Sequence, residues 1–186
     1  QLGCEVEEDC FDASDIQDII MGTRGFGMVA RYAERYDKYK DLMTSQLINQ
    51  VSAALDLSVR DVVRSERLRT EYWHKVRRFM ENFDYIVAPV VGAPPFRLDE
   101  PLPKQVGGVE VDRFQDVFLS TYVFSVTGLP MMSVPCGLTQ DGRPVGMQII
   151  ARRHREDQAI EAASAYERLL PDLFVRPKMD LTVLKP

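Results

Sequence analysis

Residues 128–151, GLPMMSVPCGLTQDGRPVGMQIIA, constrain the fold more than any other stretch of this 186-residue chain. Two apolar runs, residues 131–138 and 143–151, flank Gln140-Asp141-Gly142. An Asp-Gly pair between such runs favours a tight turn joining two antiparallel strands. Pro135 and Pro144 lie near the strand ends, as an edge or bulge position requires. Ser133 lacks the glycine on each side that a nucleophile elbow needs, and no histidine shares the segment. Cys136 reads as a small buried apolar residue. The hairpin is therefore expected to be scaffold.

The remaining chain supplies helices and one further buried strand. Residues 1–8, QLGCEVEE, read as the tail of a helix, a glycine just past its C-cap, and a strand over residues 4–7 centred on Val6. The helix before them is missing, so the chain is expected to begin inside a fold. Ser14 and Gln17 have the form of a capping box, and the glycines of GTRGFG are expected to interrupt the helix that follows. Apolar residues from Tyr39 to Leu55 recur at helical spacing. Ser58 and Asp61 mark another helix start, after which Val62, Val63, Tyr72, Trp73, Val76, Phe79, Met80 and Phe83 line one face. The run Ile86 to Val91, apolar on both sides, suits a central, largely parallel strand covered by helices. Residues 92–108 read as loop, and residues 114–125 return to a helical pattern. Ile160, Ala163, Tyr166 and Leu170 form the apolar side of a last helix. The architecture expected is α/β: a mixed sheet covered by helices, one partial domain over residues 1–186, ending in a hairpin and helix.

Composition excludes several function classes. A net charge of −5 and a pI near 5.1 disfavour nucleic-acid phosphates as partners. No apolar run approaches the ~18 residues that cross a bilayer, so no membrane partner is expected, and no basic-then-apolar leader is read at the start. Three cysteines and two histidines give no disulfide framework and no metal site. No cofactor motif is present; a cytoplasmic, reducing location is expected. His74 reads as a solvated or helix-packed imidazole. His154, in RRHRED, sits at a solvated helix entrance, and the Arg60 to Arg78 stretch reads as a salt-bridged outer face. Spacing alone assembles no catalytic set.

Gly128, Leu129, Pro130, Ser133, Pro135, Gly137, Gly142, Pro144, Gly146 and Gln148 follow a Gly-Leu-Pro…Ser-x-Pro-x-Gly…Gly-x-Pro-x-Gly-x-Gln order that resembles the C-terminal end of the amidase signature family. Phe83, Asp84 and Pro89 are similar to its Phe-Asp-x-Leu-x-x-Pro-Thr strand, and LGCEVEE resembles the strand after its central portion. The resemblance implies amide hydrolysis by a Ser–cis-Ser–Lys triad with an oxyanion hole. That triad lies in the family's Gly/Ser-rich N-terminal half, which has no counterpart here, so no catalytic role carries over. What carries over is substrate shape. Thr121 matches the threonine of a Thr-x-x-x-Asn pattern, with Ser125 where asparagine is usual. Phe118 stands where the glutamine-using amidotransferase branch has an aspartate. Phe118, Thr121 and Ser125 are thus the implied substrate-binding residues, and an uncharged or aromatic amide is the implied substrate. The implied partners are a small-molecule amide, the N-terminal half of the same enzyme and a possible second copy in a homo-oligomer. A non-catalytic binding or assembly module that kept these layers, or an unrelated α/β domain, remain the alternatives.

Overall fold

The computed structural model describes residues 2–97, 99, 102–111 and 114–175. Three helices come first: α1 (Ile16–Tyr39), α2 (Ser45–Leu55) and α3 (Val59–Phe79). Strand β1 (Tyr85–Pro89), a two-residue pair β2 (Gln105–Val106) and β3 (Val109–Glu110), and the short helices α4 (Phe114–Val117) and α5 (Leu119–Ser125) follow. The hairpin β4 (Met131–Leu138) and β5 (Pro144–Ala151) leads into α6 (Glu156–Leu169).

The hairpin forms as its sequence requires. Strands β4 and β5 pair antiparallel, and Gly142 takes φ +81° in the turn, a backbone that glycine adopts without strain. The ladder shifts register between Pro135 and Gly137, a bulge at the position the prolines mark. Strand β5 is central, in the order β1-β5-β4. Alternation along β5 serves two layers. Ile150 packs with Ile16, Ile19 and Ile20 of α1, Tyr72, Val76 and Met80 of α3, and Phe124 of α5. Ile149 faces the other way, joining Val134 and Ala163 of α6. The sheet is therefore covered by helices on both faces.

Local signals held where nothing competed with them. Ser58 and Asp61 form the reciprocal capping box of α3: the Asp61 amide donates to Ser58 Oγ at 3.2 Å and the Ser58 amide to Asp61 Oδ2 at 2.9 Å. The outer face of α3 carries the expected ion pairs, Arg67 with Glu71, Arg69 with Glu66 and Arg77 with Glu81, while Arg64 reaches Asp18 of α1.

Elsewhere tertiary packing overrode local expectation. Helix α1 runs unbroken through GTRGFG. A Cβ on Gly22 would lie 2.0 Å from Ser65 Oγ, and one on Gly25 would lie 2.2 Å from a Leu57 methyl. These glycines let neighbouring segments approach, and the packing gained outweighs their low helix propensity. The Ser14–Gln17 capping box does not form: Asp15 is the N-cap without a side-chain bond, the Ser14 amide donates to Asp12, and Gln17 Nε2 donates to Asp116. Asp12 and Asp15 are instead drawn toward Lys75 of α3, at 2.7 and 3.6 Å. The helical pattern from Tyr39 is split by a 3-10 turn at Lys40–Leu42, leaving Leu42 and Leu55 exposed.

Residues 4–7 form no strand. No described strand runs beside them and Val6 is 89% exposed, although Gly3 takes the expected left-handed φ of +72°. Strand β1 is antiparallel rather than parallel, pairing Tyr85 with Ala151 and Pro89 with Met147. It lies at an edge of the described sheet with Val87 58% exposed, so its apolar run does not signify burial on both sides. The expected loop at 92–108 contains β2, which turns at Gly107-Gly108 to pair with β3 just beyond it. Cys136 is exposed, since it falls within the bulge. Val63 lies off the buried face of α3. Ile160 is exposed because α6 seats Ala159 and Ala163 inward, small side chains that permit close approach to the sheet.

Candidate functional site

Helix α5 and its N-cap residue carry the three residues singled out for substrate binding. Phe118, Thr121 and Ser125 are spaced i, i+3, i+7 and so share one side of the helix. They do not share a cavity. Phe118 lines a cavity of about 310 Å³ walled by Val90, Val91, Phe96, Val117 and Pro144. Ser125 borders a separate cleft of about 760 Å³ with Arg69, Trp73, Thr127 and Arg153. Thr121 lines neither: its hydroxyl donates to the Val90 carbonyl at 2.8 Å. The Ser125 hydroxyl likewise donates to a carbonyl of its own helix, that of Thr121, at 2.6 Å.

Two segments bring Phe118 to its cavity. The chain leaves β1 at Pro89 and continues through Val90, whose amide donates to the Gly146 carbonyl at 3.2 Å. Val90's own carbonyl accepts from Ser120 Oγ at 3.2 Å as well as from Thr121. Gln148, buried in β5, donates through Nε2 to the carbonyls of Pro89 at 2.9 Å and Ser120 at 3.4 Å. In the sequence Gln148 stands only as part of the hairpin pattern. A lone amide in the run Gly-Met-Gln-Ile-Ile was the available signal, because a buried polar side chain must find partners.

The cavity is chemically mild. Among the described residues its lining side chains are apolar except for Ser133, so they suit an uncharged group and none of them is a counter-ion for a carboxylate or ammonium. Perturbed acids and bases lie elsewhere and move away from neutral pH. Lys75, with help from Ser14, holds the Asp12 carboxyl below the ordinary carboxylate range; burial, with the nearby Asp12 and Asp15 charges, pushes the Tyr72 phenol upward. Burial also raises Tyr166, with a contribution from Cys136. Tyr72 stays a neutral donor, bonded to the Val123 carbonyl at 2.9 Å. None of these serves as a general acid or base near neutrality.

The arginines of RRHRED have structural roles. Arg152 donates to the carbonyls of Met80 and Phe83, closing the end of α3, and Arg155 pairs with Asp157. Arg153 stacks over Trp73 at 5.5 Å. His74 and His154 are exposed. Among the described residues no group of three His, Cys, Asp or Glu could hold a metal ion, and no helix is long and apolar enough to cross a membrane.

Known proteins share this fold. The family model for amidases matches residues 28–160, most of the chain. This chain belongs to the amidase signature family. Among amidase relatives, an acylamidase of Rhodococcus erythropolis is 29% identical over 160 residues, which cover 83% of this chain and 34% of that protein. A glutamyl-tRNA(Gln) amidotransferase polypeptide of Thermodesulfovibrio yellowstonii is 31% identical over 110 residues, 58% of this chain and 21% of that polypeptide. A solved bacterial aryl acylamidase of the same family superposes with a TM-score of 0.68 at 30% identity, covering 85% of this chain and 34% of its own. A solved amidase reaches a TM-score of 0.80 at 16% identity, over 90% of this chain and 38% of its own, a likeness of fold alone. The chain thus spans about a third of the length of the acylamidase it matches.

Proposed function

We propose that this chain is the C-terminal portion of an amidase that hydrolyses a carboxylic amide to acid plus ammonia or amine. In this reading residues 1–186 form one partial domain supplying substrate-shaping layers. The Ser–cis-Ser–Lys residues that the family resemblance implies belong to polypeptide outside it. A serine oxygen there attacks the amide carbonyl carbon, the C–N bond breaks with protonation of the leaving amine, and water cleaves the resulting acyl-serine ester. That other part is the chain's first partner. The outer edges of β1 and β4, unpaired among the described residues, suit a wider sheet completed by it. The isolated chain is then inactive and tends to self-associate, and a cytoplasmic setting suits its free cysteines.

One observation carries the substrate preference: Phe118 lines an apolar cavity, and the family resemblance aligns it with an aspartate of the glutamine-using branch. An aromatic wall forms no ion pair with the ammonium group of glutamine but packs against an aryl or alkyl group. The relative described as an aryl acylamidase agrees with that chemistry. The test is to purify the longest natural polypeptide carrying these residues and compare kcat/KM for acetanilide and for glutamine. Acetanilide is expected to be preferred, and Phe118→Asp to lower its kcat/KM by roughly tenfold or more by placing an unpaired carboxylate in the cavity. Comparable turnover of glutamine by the unaltered protein would defeat the reading.

The second reading, a non-catalytic binding or assembly module, draws on the lack of any catalytic set among the described residues. A natural polypeptide without a serine-and-lysine segment would favour it.

A further inference from the structure

Gln148 occupies the centre of the sheet, opposite Ala88 of β1 and Ser133 of β4, with only 3% of its surface exposed. Burying an amide there costs desolvation that a methionine or leucine of similar size would avoid. Its Nε2 group reaches two carbonyls from separate elements: Pro89, the last residue of β1, and Ser120, in the first turn of α5. The next carbonyl along the chain, that of Val90, is held by the Ser120 and Thr121 hydroxyls. Consecutive carbonyls at the end of β1, those of Pro89 and Val90, are therefore fixed by side chains from β5 and α5. Val90 and Phe118 both line one cavity, and the Thr121 amide donates to the Phe118 carbonyl at 3.0 Å, which links Phe118 to the residue whose hydroxyl holds Val90. The floor is equally tight, since a Cβ on Gly146 would stand 3.2 Å from a Val90 methyl.

We infer that Gln148 is a positioning residue that sets the spacing between Val90 and Phe118 and so determines which amides the cavity admits. The inference rests on the amidase reading above. Gln148 touches no substrate in this scheme; it acts through the two carbonyls. Hydrogen bonds are directional, so they fix α5 against β1 in a way that apolar contact of equal area does not. Thr121 holds the same junction at the neighbouring Val90 carbonyl, which gives its hydroxyl a purpose although it lines neither cavity.

The experiment compares Gln148→Met with the unaltered natural polypeptide on two substrates. Acetanilide places a ring in the cavity, whereas acetamide is too small to span it. For acetanilide KM is expected to rise about tenfold with kcat within about twofold, the signature of lost binding that is common to ground and transition states. For acetamide both constants are expected to stay unchanged. A fall in kcat shared by both substrates at constant KM would reduce Gln148 to a purely structural residue and overturn the inference, as would an unchanged acetanilide KM. If Gln148→Met does not fold, Ser120→Ala attacks the same junction and should give an acetanilide-only rise in KM, with Ser120→Thr restoring the unaltered value. Calorimetric Kd values for acetanilide are measured in parallel. An unaltered protein that binds acetanilide without cleaving it retires the amidase reading, while the Kd ratio still decides the role of Gln148. Failure of the unaltered protein to bind acetanilide at all overturns the inference as well.

Discussion

The α1–α3 helix pair and the β1–β5–α5 junction are neighbours held together by opposite means. The helix pair relies on buried apolar surface from Ile16, Ile19, Ile20, Tyr72, Val76 and Met80, and on Gly22, which lets Ser65 of α3 close up. Its polar contacts, such as Arg64–Asp18 and Lys75–Asp12, lie at the exposed margin, where ion pairs contribute little. The junction places its hydrogen bonds inside, from Gln148, Ser120 and Thr121 to three carbonyls. Apolar packing sets how stable the layers are; interior hydrogen bonds set where one short helix stands. Substitutions should therefore separate into those that change stability and those that change substrate choice.

The largest stability effect is expected where both regions meet. Ile150 is fully buried on β5 between α1, α3 and α5, and Ile150→Ala should cost about 2–5 kcal/mol, read from the midpoint of urea unfolding. A much smaller loss would mean that the helical layer is not packed on the sheet, and the comparison would break.

Gly22→Ala comes next. Its new Cβ would meet Ser65 Oγ at 2.0 Å and Ser65 Cβ at 2.3 Å, an overpacking that should cost about 1–3 kcal/mol. Because the clash involves the Ser65 Cβ itself, Ser65→Gly should recover part of the loss in the double variant, whereas Ser65→Ala should not. Ser58→Ala removes half of the α3 capping box and is expected to cost about 1 kcal/mol, again without altering the ratio of acetanilide to acetamide turnover. A change in that ratio from either substitution would show that the two regions are not separable.

The contrast also explains what could be read from the sequence. Signals carried by adjacent residues survived: the Asp141-Gly142 turn, the Ser58–Asp61 box and the amphipathic face of α3. Signals that needed a distant partner did not. Gly22 and Gly25 break helices in isolation, and only Ser65 and Leu57 across the interface convert them into packing sites. Ser14 and Gln17 have capping chemistry, but Lys75, more than fifty residues away, claims the aspartates around them. Residues 4–7 have strand composition and no neighbour to pair with among the described residues. At the candidate site, Phe118, Thr121 and Ser125 were legible as a motif, yet their division between two cavities and one interior bond depends on where β1 ends. Gln148 was legible as a letter in a pattern, and its role emerged only with the carbonyls it reaches.

The smallest expected effect is electrostatic and depends on pH. Lys75 Nζ lies 2.7 Å from Asp12 Oδ2 and also bonds the Asp12 carbonyl at 3.0 Å. Lys75, with the Ser14 amide, lowers the Asp12 carboxyl, and Asp12 in turn raises Lys75, while desolvation opposes both shifts. A carboxyl depressed below its ordinary value of 3.8 adds stability that is present above that value and lost as pH falls toward its folded value. A lysine raised above its ordinary 10.5 adds stability that is present below that value and lost as pH climbs through its folded value. The stability difference between the unaltered protein and Lys75→Met should therefore be a plateau across neutral pH that closes at both the acid and the alkaline end. Salt should flatten it, since Asp12 is exposed and screened. Denaturant midpoints at several pH values and two salt concentrations measure the plateau directly. A difference that persists undiminished in strong acid would mean that the Lys75 ammonium holds the N-terminal segment through contacts that do not titrate there, the Asp12 carbonyl at 3.0 Å and the Tyr72 ring at 6.0 Å, rather than through the Asp12 charge.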